Sequence, residues 1–526
     1  MVRPEYSEIV RLAKQYDVIP VCREIYADIT TPIAVLRTIS RSSSRYFLLE
    51  SIEGGEKWGR YSFLGFDPIA RITCRNGEIT IEESCVPGGT TVRPRRTTLH
   101  SRKPLEVLRN YISQYSAPAL PDIPPFAGGF VGYFAYEMIG YAESVLKFRQ
   151  GEFNDFDVML FDRVIAYDHL KQKISIVVNM RTDNADENYR KALSDIEDVV
   201  RLVKEQAPPD PETSGAAELY GKIGAGTGAE ATDKAGTVGN MKAAAAIRPV
   251  FTCNTTKEEY CAMVEKAKEY IRNGDIFQAV VSRRFETEYR GSLLNAYRVL
   301  RTTNPSPYMV MMQIDDVQVI STSPETLVRL KDGVLTTFPI AGTRPRGKDD
   351  REDKALEEEL LADEKELAEH DMLVDLARND LGRISKYNSV HVTNYKMILR
   401  YSRVMHIASE VEGLIRDDRD AFDAIEALLP AGTLSGAPKI RACEIIEELE
   451  KEPRGIYGGA IGYIDFTGNM DACIAIRMAV KKGDRVYVQA GAGIVYDSIP
   501  EREYEESGSK ARAVMEAIIG ASEVEE

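Results

Sequence analysis

The sequence predicts an α+β fold: large antiparallel β-sheets packed as a sandwich with helices outside, and a smaller N-terminal region. Three observations lead there. Segments with the two-residue alternation of strands are bounded by Gly, Asp and Pro. Segments with helical periodicity accompany them, and the two kinds come in runs rather than in the strict alternation that builds parallel sheets. The 526 residues suffice for two or three ordinary domains or one large domain with a satellite, and 44% hydrophobic with 28% charged residues is a globular composition able to bury a substantial core.

Taken in order, RYFLLES, GRYSFLGF and ARITCRNGEITIEE, between residues 45 and 83, read as antiparallel strands. FAGGFVGYFAYEMIGY (126–141) is rich in Gly and aromatics, and DVMLFDRVIAYD and KISIVVNM add two further strand candidates. The first region spans 1–205. Composition then changes abruptly: 206–250 has almost no aromatic or branched apolar residues and reads as a linker or insert. Its GAGTG resembles a phosphate loop only superficially, because no strand precedes it and Ala229 stands where GxGxxG needs its third glycine. The second region, 251–526, opens with the helical YCAMVEKAKEYIRNGDIFQ and the strand AVVSRRFE. Strands follow at YMVMMQI, VQVISTS, TLVRLKDGVLTTFPI, GYIDF, CIAIRMAV and RVYVQAGAGIVY, with helices expected at 351–380, 419–429, 437–450 and 501–518.

A net charge of −15 without any long Lys/Arg run argues against nucleic acid, yet leaves room for an anionic small molecule met by a few local cations. The seven cysteines (22, 74, 85, 253, 261, 443, 473) are scattered and never form CxxC, which argues against a disulfide framework or zinc site and for reduced thiols in the cytoplasm. MVRPEYSEIV lacks an apolar core of the secretory kind, and no 18-residue window is uninterruptedly apolar.

KELAEH sets Glu366 and Glu369 three positions apart, on one face of a helix whose Leu360, Leu367, Leu373 and Leu376 trace the buried stripe. EREYEE repeats the interval with Glu503 and Glu506, 137 residues further on and just after a glycine-bearing strand. One such pair is ordinarily a solvated acidic face. Two pairs brought together suit Mg²⁺, a hard cation held by one or two carboxylates plus water and substrate oxygens.

PIAGTRPRG, AEHDMLVDLARNDLGR, GTLSGAPK, YGGAIGY, CIAIR and QAGAGIVYDSIPEREYEE resemble the signature blocks of chorismate-utilising enzymes, most closely the anthranilate synthase component I group. The resemblance covers nearly the whole chain outside the insert. Members that deliver water carry a lysine, able to act as a base, where this chain has Gln278. Aminodeoxychorismate synthases carry a nucleophilic lysine where this chain has Ala341. Both substitutions point to ammonia attacking ring carbon 2, over the alternatives of aminodeoxychorismate synthase and isochorismate synthase.

The resemblance implies Mg²⁺ at Glu369 and Glu506, with Glu366 and Glu503 close by, and Glu325 as the acid for the departing hydroxyl. It implies His406 for the elimination of pyruvate and Thr433 beside the catalytic groups. Chorismate would be bound by Gly342, Thr343, Tyr457, Arg477, Gly491, Ala492, Gly493 and Lys510. It further implies that the N-terminal region is regulatory, with Ser51, Pro307, Tyr308, Met309 and, less directly, Arg60 forming a tryptophan feedback site. Taken singly, most of these are ordinary turns, core residues or strand glycines. No cysteine stands in a GxCxG nucleophile setting, so ammonia is expected from solution or from a glutamine amidotransferase subunit, anthranilate synthase component II, as a heterotetramer. A non-catalytic tryptophan or chorismate sensor is disfavoured by the joint presence of the acid, metal and anion groups.

Overall fold

The computed structural model describes residues 2–28, 30–51, 59–84, 95–205, 248–401, 404–521 and 524. The expected insert therefore lies outside the described residues up to position 247, as does Cys85. Among the described residues, alternating and continuous apolar runs assemble into two antiparallel sheets of thirteen and twelve strands. Across the middle of the first run Tyr61–Phe66, Arg45–Glu50, Tyr308–Ile314, Val317–Ser323, Met478–Lys482, Arg485–Ile494 and Gln278–Glu288. Across the second run Val334–Thr337, Thr326–Lys331, Met470–Ile474, Ala460–Asp465, Gly129–Phe134, Phe156–Phe161 and Ala70–Arg75.

Strands from either side of 206–250 pair directly, Met311 with Leu48 in the first sheet and Gly462 with Gly132 in the second. The two expected regions thus share both sheets. The inner faces meet through Phe47, Val310, Met312 and Val319 on one side and Val131, Phe161, Ile461 and Cys473 on the other, all buried. Each such side chain is worth about 1.5–3 kcal/mol when taken out of water, so this interior dominates the stability of the sandwich.

Helices cover the outer faces. Ala185–Lys204, Leu294–Thr303 and Pro500–Gly520 lay their apolar stripes on the first sheet, and Glu364–Gly382 and Ala421–Leu428 lay theirs on the second. Two sequence expectations need correction. The helix placed at 351–380 is two helices, Asp350–Ala362 and Glu364–Gly382, because Asp363 leaves helical geometry and its carboxylate accepts from the N–H groups of Lys365 and Glu366. CIAIRMAV is not one strand: the chain breaks at Arg477, with φ of 49°, and changes sheets there. No helix among the described residues is long and apolar enough to cross a membrane, and the six described cysteines are free thiols.

Candidate active site

At two adjacent places the chain passes between the sheets, and each of these passages carries one of the expected site residues. Val317–Ser323 lies in the first sheet and Thr326–Lys331 in the second, with Glu325 on the link. Met470–Ile474 lies in the second sheet and Met478–Lys482 in the first, with Arg477 on the link. The links are fastened together: Thr322 N–H donates to the Arg477 carbonyl at 3.0 Å, Ser321 Oγ to that of Ile476 at 2.9 Å, and Ile474 N–H to that of Glu325 at 3.0 Å. The left-handed backbone at Arg477 is uncommon for a residue with a long side chain and is held by these bonds.

Glu325 accepts a hydrogen bond from Thr433 Oγ1 at 2.8 Å. Burial pushes its carboxyl up to about 7, against the opposing pull of Thr433 and of the Lys510 charge. A carboxyl so placed holds its proton near neutral pH, which is what a general acid needs. His406 is held below the ordinary histidine range by burial, with the Arg477 charge acting in the same direction. Its Nδ1 lies 2.9 Å from the Gly342 carbonyl and 3.0 Å from Thr343 Oγ1. The carbonyl can only accept, so Nδ1 carries the hydrogen and the neutral ring offers Nε2 as a base.

The two glutamate pairs come together from the helices Glu364–Gly382 and Pro500–Gly520. Burial, then Glu366 and Glu506, hold the Glu369 carboxyl above its ordinary range. Glu503 is raised by burial and by Glu506. Carboxylates that hinder one another's ionisation across two helices are a cation-attracting arrangement with purely oxygen donors, and this fits Mg²⁺. Among the described residues, no three His, Cys, Asp or Glu side chains converge tightly enough to hold a metal by themselves. Protein cations lie among the acids: Lys510 lies 2.7 Å from Glu506, Arg344 lies 3.8 Å from Glu366, and Lys365 acts on both Glu369 and Glu503. Arg344 and Lys365 are site residues that sequence reasoning missed. The signal was available, since an acid pair on one helix face calls for a positive partner.

Lys510 Nζ also donates to the Gly491 carbonyl at 3.1 Å, and Arg477 Nη1 donates to the Lys510 carbonyl at 3.4 Å. Burial pushes the Tyr457 phenol up to about 12, so it remains a donor, and it shares this end of the site with Arg477 and the Gly491 backbone. Gly491, Ala492 and Gly493 pair with Ser282, Val281 and Val280. A Cβ at Gly493 would stand 2.6 Å from Gln278 Nε2, so that glycine makes room for the Gln278 amide. Gln278 is 4% exposed, and its Oε1 has no hydrogen-bond partner among the described residues. The structure thus gathers Glu325, Thr433, His406, Gly342, Thr343, Tyr457, Arg477, Gly491–Gly493, Lys510 and the glutamate pairs into one neighbourhood, with Gln278 at its edge.

Ser51, Pro307, Tyr308 and Met309 lie elsewhere, in the wall of a cavity of about 770 Å³ that Glu50 and Arg60 also line. Met309 pairs with Glu50 across adjacent strands, which is how residues so distant in sequence meet. Glu50 is buried and accepts from Ser62, Tyr297 and Arg301; the sequence reading passed over it.

Residues 44–516 fit the model of the chorismate binding enzyme family. Anthranilate synthase component 1 of Acetivibrio thermocellus is 44% identical over 527 aligned positions, covering 100% of both chains. That of Aquifex aeolicus (strain VF5) is 43% identical, covering 99% of this chain and 98% of the relative. The crystal structure of anthranilate synthase component I from Streptococcus pneumoniae TIGR4 superposes with a TM-score of 0.71 at 35% identity, covering 94% of this chain and 99% of the other. Matched by the family model over residues 44–516 and more than 40% identical to these two relatives along nearly its whole length, the chain belongs to the chorismate binding enzyme family.

Proposed function

We propose that this protein is the large subunit of an anthranilate synthase, converting chorismate and ammonia to anthranilate and pyruvate in the cytoplasm, the first committed step of tryptophan biosynthesis. The observation that carries the reading is the Glu325 carboxyl, protonated near neutral pH and aimed by Thr433 beside an otherwise cationic and carboxylate-rich site. Arg477, Tyr457, Lys510 and the backbone N–H groups of Gly491–Gly493 bind and orient the substrate carboxylates. Gly342 and Thr343 hold the His406 ring. Glu369 and Glu506, with Glu366 and Glu503 nearby, would hold Mg²⁺; bound there, it supplies positive charge to the ring carboxylate as the 4-hydroxyl departs.

Ammonia attacks ring carbon 2 while Glu325 protonates the leaving hydroxyl, releasing water. A base then removes the ring proton and pyruvate is eliminated, which makes the ring aromatic; the neutral His406 is suited to that role. Ammonia needs no activating base, which accords with an uncharged amide at Gln278 and with Ala341 in place of a nucleophile. We assign the 770 Å³ cavity to tryptophan as feedback inhibitor, the 1–205 region to regulation, and the supply of ammonia to a glutamine amidotransferase subunit in a heterotetramer.

Chorismate, an ammonium salt above neutral pH and Mg²⁺ mixed with the purified chain should develop anthranilate fluorescence with equimolar pyruvate. Folded protein that yields neither refutes the reading. Aminodeoxychorismate or isochorismate as product would assign the chain to another branch of the family.

A further inference from the structure

Two cavities approach each other through a short hydrogen-bonded bridge between the sheets. The large cavity is lined by Tyr308, Arg329 and Asp471, and a small one of about 50 Å³ by Glu325, Thr326 and Thr433. Tyr308 belongs to the first sheet, whereas Thr326 and Asp471 belong to the second. The Tyr308 phenol donates to Asp471 Oδ1 at 2.7 Å and lies 3.0 Å from Thr326 Oγ1. Its one hydrogen goes to the carboxylate, so Thr326 donates to the phenol oxygen. Arg329 Nε donates to the other Asp471 oxygen at 3.2 Å, which fixes the acceptor.

Thr326 is the next residue after Glu325. The pairing of its strand with Met470–Ile474 slips between Thr326 and Val328, an irregularity of the kind that re-aims a side chain. The Glu325 carbonyl is held by Ile474 N–H of the same partner strand. The backbone that presents the carboxyl is thus tied on one side to Ile474 and on the other, through Thr326, to a phenol in the wall of the large cavity.

We propose that the Tyr308–Thr326–Asp471 hydrogen bonds position Glu325, and that an aromatic amino acid bound in the large cavity slows catalysis by disturbing them. The inhibitory half rests on the feedback reading above; the positioning half does not. Thr326 and Asp471 are positioning residues, because neither touches the reacting atoms.

Thr326→Val keeps the shape and removes the hydroxyl. It should lower kcat about tenfold with KM for chorismate within about twofold, and Thr326→Ser should restore kcat. The tryptophan concentration for half-inhibition should rise about tenfold or more, while its Kd by calorimetry stays within about threefold of the parent value. Asp471→Asn, which frees the phenol from its charged acceptor, should behave alike and serves if Thr326→Val does not fold. Parental kcat and parental inhibition in both variants would overturn the proposal, as would a Thr326→Ser protein no better than Thr326→Val. Parent protein that binds no tryptophan would sink the feedback reading and with it the inhibitory half, leaving kcat and the serine rescue to decide the positioning half.

Discussion

Glu325 offers a pH signature that few other side chains here can supply. Its carboxyl titrates near 7 in the folded protein, so turnover normalised to un-ionised ammonia should fall as pH rises through that value. Glu325→Gln should remove this limb and cost about 10²–10⁴ in kcat. The same shift has a consequence for stability. Between the ordinary glutamate value of 4.5 and about 7 the folded form binds more protons than the unfolded form, so ionising Glu325 erodes stability as pH rises. The Gln variant, with no charge to bury, should melt a few degrees higher than the parent above neutral pH, a trade of stability for function measurable by calorimetry. At the glutamate pairs, Glu369→Gln relieves repulsion and removes an oxygen donor. The Mg²⁺ concentration for half-maximal rate should rise about tenfold or more, without loss of melting temperature.

At the level of single elements, the strand Arg485–Ile494 places two glycines with different tasks. A Cβ at Gly491 would stand 2.5 Å from the Val281 carbonyl, backbone against backbone, whereas one at Gly493 would meet only the movable end of Gln278. Gly491→Ala should therefore lower the melting temperature by several degrees. Gly493→Ala should leave it nearly unchanged and reduce turnover with ammonia, as the Gln278 amide is displaced. Most strands were legible because their apolar runs are bounded by turn residues, and Asp332-Gly333 between Thr326–Lys331 and Val334–Thr337 is one example. The pairing of those strands was not, because local alternation is silent about which distant segment completes a sheet. The break at Asp363 escaped notice because an aspartate inside a helical run looks like a surface residue until its carboxylate is seen capping the next helix. Among the site residues, Glu325, His406 and Arg477 were legible only through family resemblance. Taken alone, they are a turn carboxylate, a histidine among apolar neighbours and an arginine in a strand-like apolar run. Lys365 and Arg344 went unread because opposite charges on separate segments carry no periodic signal.

The two sheets are shared between 1–205 and 251–526, and this governs how the whole molecule holds together. Separated from the first region, Tyr308–Ile314 would lose Arg45–Glu50 and Ala460–Asp465 would lose Gly129–Phe134, leaving two bare sheet edges over apolar faces. Residues 251–526 expressed alone should aggregate, and co-expression with 1–205 should recover a soluble complex by size-exclusion chromatography. The sandwich also explains why the site lies where it does: the two inter-sheet passages at Glu325 and Arg477 fall side by side, with Leu373 and Leu376 of one glutamate-bearing helix beside the first and Lys510 of the other bonded to the second. The most direct test of the chemistry assigned to this site is the product formed from chorismate, Mg²⁺ and ¹⁵N-ammonium, resolved by mass spectrometry. The account requires ¹⁵N-labelled 2-aminobenzoate with one pyruvate per ring; an unlabelled hydroxylated product, or an amine at carbon 4 with the enolpyruvyl group retained, would contradict it.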